Sequence, residues 1–248
     1  MRRLFLLIVI VGTVSLFSVT AAVDPFSLPI GTVIIDAGHG GHDPGATKRW
    51  SFHQGEILEK DLNLDIAKRL AVLLKLDHPD LTIVMTREDD RYLSLAERSK
   101  IAYSQPLLGK SALFISIHVN SATSEAANGF EILIKFQDKR VTLIDEHTPT
   151  ANIALFAAHS QASLNRLLNN RNLVVASVFE KTMSQRLVTA RSRGIKEQDL
   201  WVLNQSRMPS VLVEVGFLTN EADAKRLLSS QYRQTLAEVL CDAIERLL

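Results

Sequence analysis

The chain has 248 residues, 28 Lys and Arg against 27 Asp and Glu, 46% hydrophobic residues and one cysteine. That apolar fraction supports a sizeable core and excludes a disordered chain, a collagen-like repeat and a disulfide-stapled miniprotein. Near-neutral charge leaves no cationic surplus to release phosphate counterions, which argues against a nucleic-acid partner.

The first element is a secretory signal, 1–21. Arg2 and Arg3 form a positive start, 4–17 is an uncharged apolar run, and Val19, Thr20 and Ala21 are the small residues a signal peptidase reads, with cleavage after Ala21 or Ala22. The run of about 14 residues is shorter than the roughly 20 that span a bilayer. The expected protein is exported to the periplasm or cell envelope, with no stable membrane span after processing. A short lead-in, 22–31, precedes one domain over 32–248.

Within that domain, apolar runs predict strands at 32–36, 81–86, 112–118, 129–135 and 211–215, with a weaker one near 200–203. Leu62, Ile66, Leu70 and Leu73 form one helical stripe, and further helices are expected at 93–104, 153–168, 177–190, 221–228 and 232–248. This alternation implies an α/β fold, a single three-layer domain. Cys241 falls on the stripe of the last helix and reads as a small packed residue without a catalytic role.

The loop 36–45 follows the first strand and is rich in glycine. It is not a dinucleotide fingerprint, because Asp43 stands where glycine is needed, nor a phosphate loop, because Ala46 and Thr47 stand where Lys and Ser or Thr are needed. It remains a tight turn presenting His39 at the carboxyl edge of the sheet. His118 ends the strand 112–118 at the same edge, and two histidines there suit zinc. Glu59 leads the helical stripe and supplies an inward carboxylate, with Glu56 as the alternative on the same spacing. Glu214 lies within Val211–Leu212–Val213 and Val215, too apolar a run for a solvated charge. It reads either as the partner of an arginine such as Arg87 or as a general base beside a metal. Asn120 has two readings, orienting substrate or capping its turn; Arg87 and Arg98 either bind carboxylates of a ligand or fasten helices. His42 and His53 flank the site, whereas His78, His147 and His159 read as loop or helix residues.

Taken in order, Ile35–Gly41, Glu59–Leu64, Thr86–Arg87, Ser116–Asn120 and Val213–Phe217 resemble the catalytic domain of zinc-dependent N-acetylmuramoyl-L-alanine amidases, from about residue 32 to the end. The resemblance implies a mixed, six-stranded sheet flanked by helices, and one zinc (Zn2+) held by His39, Glu59 and His118. It further implies Glu214 as the catalytic glutamate and peptidoglycan as substrate, cut between N-acetylmuramic acid and L-alanine of the stem peptide. Asn120 and Arg87 are the candidate substrate contacts. The connection after 129–135 is longer than in short members of the family. The segment 136–175 is therefore expected to be a regulatory insertion that lies across the site like a lid until an activator protein releases it. Glu146 and His147 read as a solvated turn around Pro149, with the zinc's open position in the closed state as the alternative.

Overall fold

The computed structural model describes residues 22–248; the expected signal segment, 1–21, lies outside the described residues. The elements in chain order are β1 (Ile30–Ala37), β2 (Thr47–Lys48), β3 (Ile57–Leu58), α1 (Glu59–Asp77), β4 (Thr82–Met85), α2 (Leu95–Tyr103), β5 (Ser111–Asn120) and β6 (Phe130–Ile134). They continue with α3 (Thr150–Phe156), α4 (Gln161–Arg186), β7 (Ser192–Glu197), α5 (Trp201–Asn204), β8 (Ser210–Phe217), α6 (Glu221–Leu228) and α7 (Ser230–Glu245). Six strands form one mixed sheet in the order β4-β1-β5-β8-β6-β7, and β2 and β3 pair separately. β4, β1, β5 and β8 are parallel; β6 runs antiparallel to β8 and carries β7 parallel to itself.

Helices cover both faces, so the central strands are apolar on both sides, as Val33, Ile34 and Ile35 show at 0% exposure. On one face α1, the second half of α4 and α7 pack against Val33, Ile35, Ile115 and Val213. On the other, the start of α4 joins Phe156 of α3 and Val202 and Leu203 of α5 over Ile34, Phe114 and Leu212. Four parallel strands thus bring their carboxyl ends to one edge, the usual place for a site in an open α/β sheet. Among the described residues no helix is long and apolar enough to cross a membrane.

Three expectations are corrected. The weak strand near 200–203 is the short helix α5; the sixth strand is β7, which contains Arg193, Gly194 and Lys196 and so lacks an apolar signature. The separate helices at 153–168 and 177–190 are divided differently: α3 stops at Phe156, and one helix, capped by the Ser160 side chain accepting from the Ser163 N–H, runs to Arg186.

The third correction concerns 136–175. Because β6 is antiparallel to β8, the chain leaves it at the amino end of the parallel strands, opposite the edge that carries His39 and His118. The segment stays there. Asp145 pairs with Arg207, just ahead of β8, and the Asn152 side chain accepts from the Leu107 N–H and donates to the Gln105 carbonyl, just ahead of β5. Asn172 caps the Ser210 N–H, and Phe156 packs on Phe26, ring centroids 5.7 Å apart. Glu146 and His147 are exposed beside Asp145, as the solvated-turn reading expects, and not at the opposite edge. Here the segment packs against the amino end of the sheet rather than across the site.

Phe156→Ala should therefore cost about 3–5 kcal/mol in denaturant unfolding, as for a buried aromatic truncated in a core. Turnover of the folded fraction should stay the same, whereas loosening a lid would raise it.

Candidate metal centre

The site begins with the turn after β1. Gly38 must lack a side chain, because a Cβ there would meet His118 Cε1 at 2.2 Å. Gly40 has φ +133° and would press a Cβ to 2.2 Å from the Arg91 carbonyl. His39 itself lies in the left-handed region at φ 61°. Such a conformation persists when the surroundings over-determine it. Here two buried arginines hold the turn by its carbonyls. Arg87 donates to Ala37 O (2.9 Å) and Gly38 O (2.9 Å), and Arg98 to Ala37 O (2.8 Å) and His39 O (2.6 Å).

Arg98 is in turn held by Asp36, 1% exposed, whose carboxylate accepts from Arg98 Nη1 (2.8 Å), Thr86 Oγ1 (2.7 Å) and Ser116 Oγ (2.6 Å). Burial pushes the Asp36 carboxyl up, but Arg98, Ser116 and Thr86 together hold it below the ordinary carboxylate range.

Glu59 opens α1, where the helix dipole favours a carboxylate. Its Oε2 accepts from the Ala46 N–H (2.7 Å), and its Oε1 from the Val119 N–H (3.1 Å) and Asn63 Nδ2 (3.2 Å). The same Oε1 lies 2.9 Å from His118 Nδ1 and 3.3 Å from His39 Nε2. One donor atom from each of His39, Glu59 and His118 falls within 4.8 Å of the others, a spacing that suits one cation. His39 turns its other nitrogen, Nδ1, to Asp43 Oδ2 at 2.8 Å, an orienting contact typical of metal-ligating histidines. Burial opposes charge on His39, yet Glu59 and Asp43 raise its pKa; against burial, the two imidazoles hold Glu59 well below the usual carboxylate range.

β8 sets Glu214 in register beside His118 of β5, and β6 sets Glu131 beside Glu214 from the other side. Glu214 Oε2 is buried without a hydrogen-bond partner among the described residues. Burial first, then the charges of Glu59 and Glu131, push its pKa well up. The ion-pair reading of Glu214 with Arg87 fails, since Arg87 is 0% exposed and is fully engaged by backbone carbonyls. The same contacts make Arg87 a positioning residue for the turn, where the sequence reads it as a candidate substrate contact. Asn120 accepts from the Ser121 N–H (2.7 Å) and donates to Glu131 Oε1 (2.8 Å), which favours the capping reading. Glu56 is exposed, and His42 stacks on Tyr92 with centroids 4.0 Å apart.

His39 and His118 open into a cavity of about 370 Å³ between α2 and α5, walled by Tyr92, Leu93, Leu200 and Trp201. Asp43, Glu131 and Trp201 escaped the sequence reading. Asp43 carried a signal in its place four residues after His39, and Glu131 in its apolar strand.

The sequence profile of the N-acetylmuramoyl-L-alanine amidases matches residues 33–246. The chain belongs to this family. Its amidase domain is 35% identical to the uncharacterised Bacillus subtilis protein YqiI, covering 86% of this chain and 83% of that one. It is 34% identical to the amidase LytC of B. subtilis over 85% of this chain, and spans only 34% of LytC. It is 33% identical to a probable amidase, AmiB, of Haemophilus influenzae, of which it spans 54%. The fold is that of the solved N-acetylmuramoyl-L-alanine amidase of Clostridium difficile 630, with a TM-score of 0.66 at 30% identity, over 88% of this chain and 96% of that one.

Asp36→Asn should destabilise the amidase by about 3–5 kcal/mol at pH 7, the cost of leaving Arg98 buried and unpaired. The folded Asp36 pKa is depressed, so its contribution is present above the unfolded carboxylate pKa and is lost as pH falls through the folded value. In paired unfolding curves, the gap between wild type and variant should close below about pH 4.

Proposed function

We propose that this chain is a zinc enzyme that hydrolyses the peptidoglycan amide between the lactyl group of N-acetylmuramic acid and L-alanine. The observation that carries the proposal is the unpartnered carboxylate of Glu214 standing in register beside His118, one of three convergent donors that open into the cavity. Two imidazoles, one carboxylate and an orienting Asp43 fit zinc, with His39, Glu59 and His118 as its ligands. Bound there, the cation supplies Lewis acidity and an open coordination position for chemistry at an amide carbonyl.

The residues divide the remaining work. Glu214 accepts the proton of the attacking water and returns it to the departing L-alanine nitrogen; its raised proton affinity suits a group that carries a proton between two steps. Asp43 fixes the His39 tautomer with Nε2 facing Glu59. Asn120 ties Glu131 beneath the same edge. The reading extends to the domains: a signal at 1–21, a lead-in at 22–31 and a catalytic domain at 32–248. An envelope location and a role in wall remodelling or daughter-cell separation accord with the relatives, which include a probable cell wall amidase, LytH, of Staphylococcus epidermidis at 28% identity.

Digestion of purified sacculi should release stem peptides with new L-alanine amino termini and no new reducing ends. Chelation should abolish release, and New reducing ends would instead mark a glycosidase. His39→Ala and His118→Ala should each lose metal, read by elemental analysis, because two protein ligands hold zinc poorly. Asp43→Asn should weaken metal binding about 10–100-fold in chelator competition. Glu214→Gln should keep metal and lose turnover by roughly 10² or more in kcat; a variant near wild-type rate would remove Glu214 from the mechanism.

A further inference from the structure

The strand order spreads charge unevenly to the two sides of Glu214. From β1 through β5 and β8 to β6 and β7, the sheet presents His39, His118, Glu214, Glu131 and finally Arg193 and Lys196.

On the β6–β7 side, Glu131 is 6% exposed, and its Oε1 accepts from Asn120. Its Oε2 accepts from Arg193 Nε at 2.8 Å and from Lys196 Nζ. Two cations on one carboxylate leave a surplus positive charge. Arg193 uses only Nε in this pair; its terminal nitrogens have no hydrogen-bond partner among the described residues, and its guanidinium lies over the Phe217 ring, 4.9 Å from the centroid. The side chains of Arg193 and Lys196 are 28% and 42% exposed. They are therefore positioned, yet open to a ligand.

The β1–β5 side is different. The cavity between α2 and α5 has walls from Tyr92 and Trp201, 44% and 50% exposed; its margin carries Asp43, engaged by His39 and the Gly45 N–H, and Asp199, engaged by Lys139 and Asn204. Its one lining cation, Arg98, is already engaged by Asp36 and backbone carbonyls. Exposed aromatic walls, anionic margins and no available cation suit a neutral, hydroxylated ring and disfavour a carboxylate.

We propose that this asymmetry sets the direction of the substrate: the acidic stem peptide crosses β6 and β7 with a carboxylate at Arg193 and Lys196, and the sugar enters the groove between Trp201 and Tyr92. The inference rests on the amidase reading above, and names which side of that site each half of the substrate takes.

The test uses the zinc-loaded mature chain and two muropeptides that differ only in whether the stem-peptide carboxylates are free or amidated. Arg193→Gln should raise KM about tenfold more on the free-carboxylate substrate than on the amidated one, the size of one charge-assisted hydrogen bond, with kcat little changed. Arg193→Lys should recover part of the loss, and Lys196→Gln should repeat the preference if Arg193→Gln folds poorly. Calorimetric titration of free stem peptide should show weaker binding to Arg193→Gln and unchanged binding to Trp201→Ala, whose loss should appear only with sugar-bearing ligands. Equal losses on both muropeptides, or peptide binding that depends on Trp201 and not on Arg193, would overturn the proposal. If the wild type cleaves neither muropeptide, the amidase reading fails, while the peptide titration still decides the direction.

Discussion

The buried pair between Asp36 and Arg98 is the interaction on which the site depends. A strand followed by Gly38, His39, Gly40 and Gly41 has little of its own to hold a histidine in the left-handed region. Arg98 and Arg87 supply that restraint by gripping three consecutive carbonyls, and Asp36 makes it possible to bury Arg98 at all. A buried ion pair is weak evidence for stability, since desolvation opposes its attraction. Its contribution here is geometric: it holds the Arg98 guanidinium where it meets the carbonyls of Ala37 and His39.

The same logic orders the carboxylates. Glu59, Glu214 and Glu131 lie near one another along the carboxyl edge, yet their surroundings differ. Glu59 is surrounded by donors and two imidazoles and stays ionised. Glu131 is balanced by Arg193 and Lys196. Glu214 stands between them with one oxygen unpartnered, and so is the carboxyl that most readily takes up a proton. Three acids of one kind are thus suited to three different tasks, holding a cation, anchoring side-chain cations and carrying a proton, divided by their neighbours rather than by their chemistry.

Much of this was legible in the chain. β1, β5 and β8 are buried on both faces, so their runs of Val, Ile and Leu identify them without any partner. Glu59 could be placed inward because it leads the buried stripe of α1, and Glu214 because nothing around it in sequence is polar. β7 was not legible, since an edge strand carrying Arg, Gly and Lys has only one neighbour to satisfy. The continuity of α4 was hidden as well: its first half packs on one cluster and its second half on the other, so no single apolar stripe runs its length.

The sequence by itself determined the central strands, the three convergent donors His39, Glu59 and His118, and the family, because each rests on local pattern or on motifs preserved in order. The tertiary structure alone decided where the long segment after β6 goes and what Arg87 touches. Both depend on strand direction. One antiparallel strand, β6, reverses the chain and delivers that segment to the far end of the sheet, and no periodicity within the segment records that reversal. Arg87 looks like a ligand-binding cation until the turn after β1 folds over it, because its partners are backbone carbonyls, which carry no sequence signature.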